Sequence, residues 1–175
     1  MATSEVLLAL LGEQPRHGYE IKHEYDAWFP DSKPLAFGQV YSTLGRLERD
    51  GLVEVVETRQ DGAPQRSVYA LTDQGRRHLR DWLTKPAPAE GTSAEEIVRK
   101  TVAALRTGTD TAGFLTRQRA SHLRRMRELQ QQPAGRDPAF RLVRAHTLAR
   151  LDADLRWLDL AAELTHRAQE RGSNP

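Results

Sequence analysis

Gln39, Ser42, Thr43 and Arg46 stand in one short segment, off the apolar stripe Val40, Leu44 and Leu47. In a helix, that stripe turns inward and the four polar side chains turn outward. Their chemistry is edge recognition: a glutamine amide matches adenine, a guanidinium matches guanine, and hydroxyls suit bases or phosphates. Further along, Arg59, Gln60, Gln65 and Arg66 bracket a turn whose single acid is Asp61, a composition suited to phosphate or minor-groove contact. Lys22 adds a phosphate-type cation, as do Lys33, Arg76 and Arg77. A solvated amphipathic helix and a charge-protected hairpin would show the same residues, so only their positions in a fold separate the readings.

Other chemistries are poorly supplied. The chain has no cysteine, which excludes disulfides, thiolate metal sites and thiol nucleophiles. The histidines at 17, 23, 78, 122, 146 and 166 form no metal-type pairing, and no metal or cofactor is expected. Neither a glycine-rich phosphate loop nor a G-x-S-x-G turn is present, so an enzyme is not expected. The net charge is only +2, and residues 1–86 hold 11 Lys/Arg against 13 Asp/Glu. A nucleic-acid reader with that balance must gather its cations on one face, because phosphates respond to the local field.

The elements that would position these groups follow from periodicity. Residues 4–12 carry apolar side chains at 6, 7, 10 and 11, a helical face. Residues 17–29 repeat at 21, 25 and 28, and prolines 30 and 34 interrupt the chain before a third helix over 37–50. LVEVVET and SVYAL are β-rich and flank Asp61-Gly62 and Pro64, which predicts a hairpin. Thr72 is the expected N-cap of a fourth helix with Leu79, Trp82 and Leu83 inward. Three helices, a hairpin and a helix make a winged helix-turn-helix over 1–85, whose third helix would enter the major groove. Residues 86–93 read as a linker, and 94–175 as a helical domain with helices at 94–107, 110–132 and 138–170. The expected class is therefore mainly α with a small β-hairpin.

Residues 1–85 resemble the PadR family of transcriptional regulators. The resemblance rests on HGYEI at 17–21, on Y-x-x-L-x-R-L-E-x-x-G-L at 41–52 and on Y-x-L-T-x-x-G at 69–75. Phe37 and Ser42 stand where that family often has proline, and Gln39 replaces a threonine. The resemblance implies a repressor that binds an operator in double-stranded DNA, with Tyr19 and Tyr41 joining the DNA-facing set. It also implies a homodimer joined through C-terminal helices and release by a small aromatic or drug-like effector. A winged-helix module that binds protein and never meets DNA is the alternative, favoured by the acidic balance of residues 1–86.

In the last helix, Leu148, Leu151, Leu155, Leu158 and Ala162 recur in steps of three and four, a coiled-coil seam expected to meet a second copy. Trp157, Leu160 and Leu164 occupy a different face. Trp82, Phe114 and Trp157 are the aromatic side chains expected to line an effector pocket. The arginines at 117, 119, 124, 125 and 127 read as a solvated helix face. No membrane-crossing run is expected, and the acid in the first residues argues against a signal peptide, so a cytoplasmic protein is expected.

Overall fold

Val6 to Leu11 are all buried, so helix α1 (Ala2–Leu10) is covered on every side rather than on the single face its spacing predicts. The computed structural model describes residues 2–59, 66–89, 94–133 and 137–172. After α1 come β1 (Arg16–His17), α2 (Gly18–Trp28), α3 (Phe37–Arg49), β2 (Val53–Arg59), β3 (Arg66–Leu71) and α4 (Asp73–Thr84). Helices α5 (Ala94–Arg106), α6 (Thr111–Gln131) and α7 (Pro138–Gly172) complete the order. The chain forms two compact units, Met1–Leu83 with Val102–Thr107, and Thr84–Thr101 with Gly108–Pro175.

In the first unit, Ile21 and Tyr25 of α2, Val40, Leu44 and Leu47 of α3, and Leu79 and Leu83 of α4 close around α1. Ala103 and Ala104 of α5 belong to the same core, so the last turns of that helix serve the first unit. Each fully covered leucine stabilises this packing by roughly 2 kcal/mol. The sheet is antiparallel in the order β1-β3-β2. Strand β1 is not predicted from the sequence, because two residues carry no period; it pairs Arg16 with Tyr69 and His17 with Val68. A bulge between Val55 and Glu57 interrupts the β2–β3 ladder, which runs out to Arg59 opposite Arg66.

The junction of α3, sheet and α4 is tied by one hydroxyl. Thr72 Oγ1 accepts the Gly75 N–H at 3.0 Å, as expected of an N-cap, and donates to the Gly51 carbonyl at 2.7 Å. The Thr72 N–H meanwhile donates to the Leu52 carbonyl at 3.2 Å.

The second unit is built on an antiparallel pair, α6 against α7. Phe114 and Leu115 pack with Leu158 and Ala161 toward one end, and Leu129 with Leu151 toward the other. Between them, fully buried His122 faces Asp154 at 3.5 Å. Residues 86–89, expected to be linker, are instead held against α6. The Gln118 amide, itself fully buried, accepts the Ala87 N–H at 2.7 Å and donates to the Ala87 carbonyl at 2.9 Å. Arg150 donates to the Ala89 carbonyl at 2.9 Å. Residues 90–93 lie outside the described residues.

The α7 seam requires a correction. Leu151, Leu155 and Leu158 are covered within the chain, at 0%, 8% and 1% exposure, and Leu148 packs beside them; Ala162 is exposed. An apolar stripe in steps of three and four is equally satisfied by an antiparallel neighbour in the same chain, and α6 supplies it. What remains open is the opposite side of α7, where Leu142, Ala149, Ala153, Leu160 and Leu164 are exposed.

Candidate nucleic-acid interface

Helix α3 forms despite two internal glycines because Val40, Leu44 and Leu47 bury its inner stripe. Its N-terminus has no capping side chain at Ala36, and Gln39 supplies the cap by accepting the Ala36 N–H on Oε1 at 3.2 Å. The preceding connector is fixed by Asp26, which accepts the Leu35 N–H at 3.0 Å and pairs with Lys22 Nζ at 2.6 Å. Partial burial pushes the Asp26 carboxyl up. The hydrogen bonds from Lys22 and Leu35, with the charges of Lys22 and His23, outweigh that and hold it below its ordinary value of 3.8. A depressed carboxyl stabilises the fold above that value and loses its contribution as pH falls through the lower folded one. Asp26→Asn is therefore expected to cost about 1 kcal/mol at neutral pH. The gap between its thermal midpoint and that of the wild type should narrow below pH 3.8; a gap equal at pH 7 and pH 3 would contradict this.

The outward ridge of α3 runs through Gly38, Ser42, Gly45 and Arg49. A Cβ on Gly38 would meet nothing within 4 Å, and one on Gly45 only the Arg49 guanidinium at 4.0 Å. The helix backbone is thus open to close approach along this ridge. Arg49 is exposed and was not singled out from the sequence, although it lies seven residues past Ser42 and so on the same side. Ser42 Oγ donates to the Gln39 carbonyl at 3.1 Å, and Thr43 is half-buried. Arg46 is exposed, and its guanidinium donates to Ser4 Oγ of α1 at 2.6 Å.

Tyr41, 48% exposed, occupies the other flank of the ridge and lies over the start of α2. A Cβ on Gly18 would stand 2.6 Å from its ring, so a larger residue there would push the tyrosine side chain aside. Behind it, burial and then the charge of Glu48 keep the Tyr69 phenol above its ordinary value. Tyr19 is 58% exposed and stacks on Phe37, with centroids 5.7 Å apart and planes at 13°. Lys22, expected at a phosphate, is committed to Asp26 and lies 5.4 Å over the Phe37 ring.

Of the sequence-predicted set, the structure brings Tyr19, Lys22, Gln39, Tyr41, Ser42, Thr43 and Arg46 onto α2 and α3. Arg59 and Arg66 close the described β-ladder, but their side chains and the loop 60–65 lie outside the described residues. Of the expected effector aromatics, Trp82 packs half-buried on the first unit's core, and Phe114 is fully buried with Trp157 half-buried against its cluster in the second. Among the described residues no helix is long and apolar enough to cross a membrane.

Three packed helices followed by a hairpin, with the polar ridge of the third helix exposed, define a winged helix-turn-helix module. Residues 7–81 match the sequence profile of the transcriptional regulator PadR-like family. A probable transcriptional regulator of Mycobacterium tuberculosis is 28% identical over 136 residues, covering 74% of this chain and 72% of that protein. The negative transcriptional regulator PadR of Bacillus subtilis is 28% identical over 94 residues, 54% of this chain and 52% of that one. Residues 7–81 are thus similar to the PadR-like module, and both of these relatives are described as transcriptional regulators. Bacillus subtilis PadR solved with operator DNA superposes with a TM-score of 0.47 at 21% identity, covering 94% of this chain and 99% of that one.

Proposed function

We propose that this regulator is a repressor that reads an inverted-repeat operator as a homodimer, laying α3 of each copy in the major groove. The observation that carries this is the open ridge Gly38–Ser42–Gly45–Arg49, flanked by exposed Tyr19, Tyr41 and Arg46, on the third helix of a winged unit. Repression is supported by the description of the Bacillus subtilis relative as a negative regulator. In this reading Arg49 neutralises a phosphate, and Arg46 exchanges its Ser4 partner for a base edge. Arg49→Ala should weaken binding on every sequence and reduce the log–log salt slope by about 1. Arg46→Ala should relax base preference. Titrating duplexes from the protein's own promoter at several salt concentrations checks both. Unchanged affinity in the two variants would remove the site, and salt-independent association would favour a protein-binding module instead.

The dimer contact is the exposed stripe Leu142, Ala149, Ala153, Leu160 and Leu164 of α7. It is the side of the helix left after α6 has covered the seam, and a long apolar stripe on a soluble chain marks an association surface. Leu142→Asp combined with Leu160→Asp should give a monomer in light scattering with unchanged helical content. It should also bind operator duplex at least tenfold more weakly, since each copy then engages one half-site alone. A dimer that survives both substitutions would place the contact elsewhere.

A further inference from the structure

The first residue of α3 is a phenylalanine, and 42% of it is exposed. Single exposed apolar side chains need no explanation as a rule, but this one is held in place. Tyr19 stacks on its ring, His23 stands edge-on with centroids 6.4 Å away, and the Lys22 ammonium lies 5.4 Å over it. Tyr19 and His23 are themselves in contact at 4.2 Å, so three rings and a cation make one cluster. Lys22 is locked by Asp26, and Asp26 by the Leu35 N–H, so the chain entering α3 and the ring at its first residue are braced together. Phe37 immediately precedes Gly38, where the ridge that the DNA reading assigns to the groove begins, and the first turn of a recognition helix is the part that faces base edges.

Base edges in the major groove present donors, acceptors and a single apolar group, the 5-methyl of thymine. A ring fixed at that place has no hydrogen bond to offer. Placed against a polar edge it would strip water without replacement; placed against a methyl it removes apolar surface from water on both sides. We propose that Phe37 is a specificity-determining residue that reads the 5-methyl group of a thymine, with Tyr19, His23 and Lys22 as the scaffold that holds its ring. The proposal rests on the DNA-binding reading and adds a base identity to it. It also gives a reason why an operator used by relatives with proline at this place need not be the operator of this chain.

The test uses the full chain and duplexes that it selects from a random-sequence pool. Each thymine of a selected duplex is replaced in turn by deoxyuridine, which removes the methyl and nothing else. At one or more positions the wild type should lose about fourfold in affinity, the worth of one buried methyl group. Phe37→Ala, shown by circular dichroism to keep its fold, should bind the thymine and deoxyuridine duplexes equally at that position. A selected duplex bound with ordinary salt dependence but with no methyl-sensitive thymine sinks the proposal and leaves the DNA reading standing. Sensitivity that persists in Phe37→Ala also sinks it, since another residue then reads the methyl. Failure to enrich any duplex, with no salt-dependent binding, overturns the DNA reading and this inference together. The wild-type scan refutes by itself, because it involves no variant.

Discussion

Placing a methyl group on Gly75 is expected to lower the unfolding midpoint of the winged unit by about 15 °C, measured by the fluorescence of Trp28 and Trp82. A Cβ there would lie 2.0 Å from the Leu52 carbonyl oxygen and 3.3 Å from Leu71 Cδ2. The first of those neighbours is backbone and cannot swing aside. It is also the acceptor of the Thr72 N–H, in the same turn where Thr72 Oγ1 caps Gly75. Relief requires α4 to move off the turn that follows α3, which loosens the cap and the burial of Leu79 and Leu83 together. Overpacking against an unyielding neighbour costs about 3 kcal/mol. The control is Gly45→Ala, which meets only a flexible guanidinium at 4.0 Å and should stabilise α3 by about 1 kcal/mol. Equal midpoints for Gly75→Ala and the wild type would show that the approach of α4 to Leu52 is not held in solution.

Leu151→Asp is expected to unfold the second unit rather than merely separate two copies. Leu151 is 0% exposed and packs with Leu129 and Ala89, with Met126 and Leu148 at the edge. The nearby buried carboxylate of Asp154 already has His122 and Arg150 as partners, at 3.5 and 3.7 Å. A second carboxylate among those leucines would have an apolar cage and a like charge one helical turn away. Burying an unpaired charge costs several kcal/mol, a large share of the 5–15 kcal/mol that holds a typical domain together. Far-UV circular dichroism should therefore lose much of the helical signal, whereas the Leu142→Asp, Leu160→Asp pair should keep it. A well-folded monomeric Leu151→Asp would restore the seam to the dimer interface and exclude the packing described for α6 and α7.

The first unit was legible because its signals are local. The apolar stripe of α3, the β-rich runs of β2 and β3 and the hydroxyl of Thr72 each act within a few residues of where they stand. The strand β1 was not legible, since Arg16 and His17 pair with residues some fifty positions away and have no pattern of their own. Nor was the division of α5, whose Ala103 and Ala104 serve the first unit's core although the helix begins in the second. On α3 the spacing located the outward side but not the partners. Gln39 spends its amide oxygen on the helix cap and Arg46 its guanidinium on Ser4, while Arg49, unremarked in the sequence, stands on the open ridge.

Residue types and their periods were sufficient for the winged helix-turn-helix, for the inward and outward sides of its third helix, and for an apolar seam on α7. A period states which side chains share a face; it carries no information on what that face will meet. Folding in three dimensions decided that α6 covers the seam from within, that Phe114 is core while Trp82 is only half-buried, and that Tyr19 and Phe37 stack in the open. Those outcomes depend on contacts between residues far apart in the chain, where burial of apolar area selects among partners that local spacing leaves equivalent.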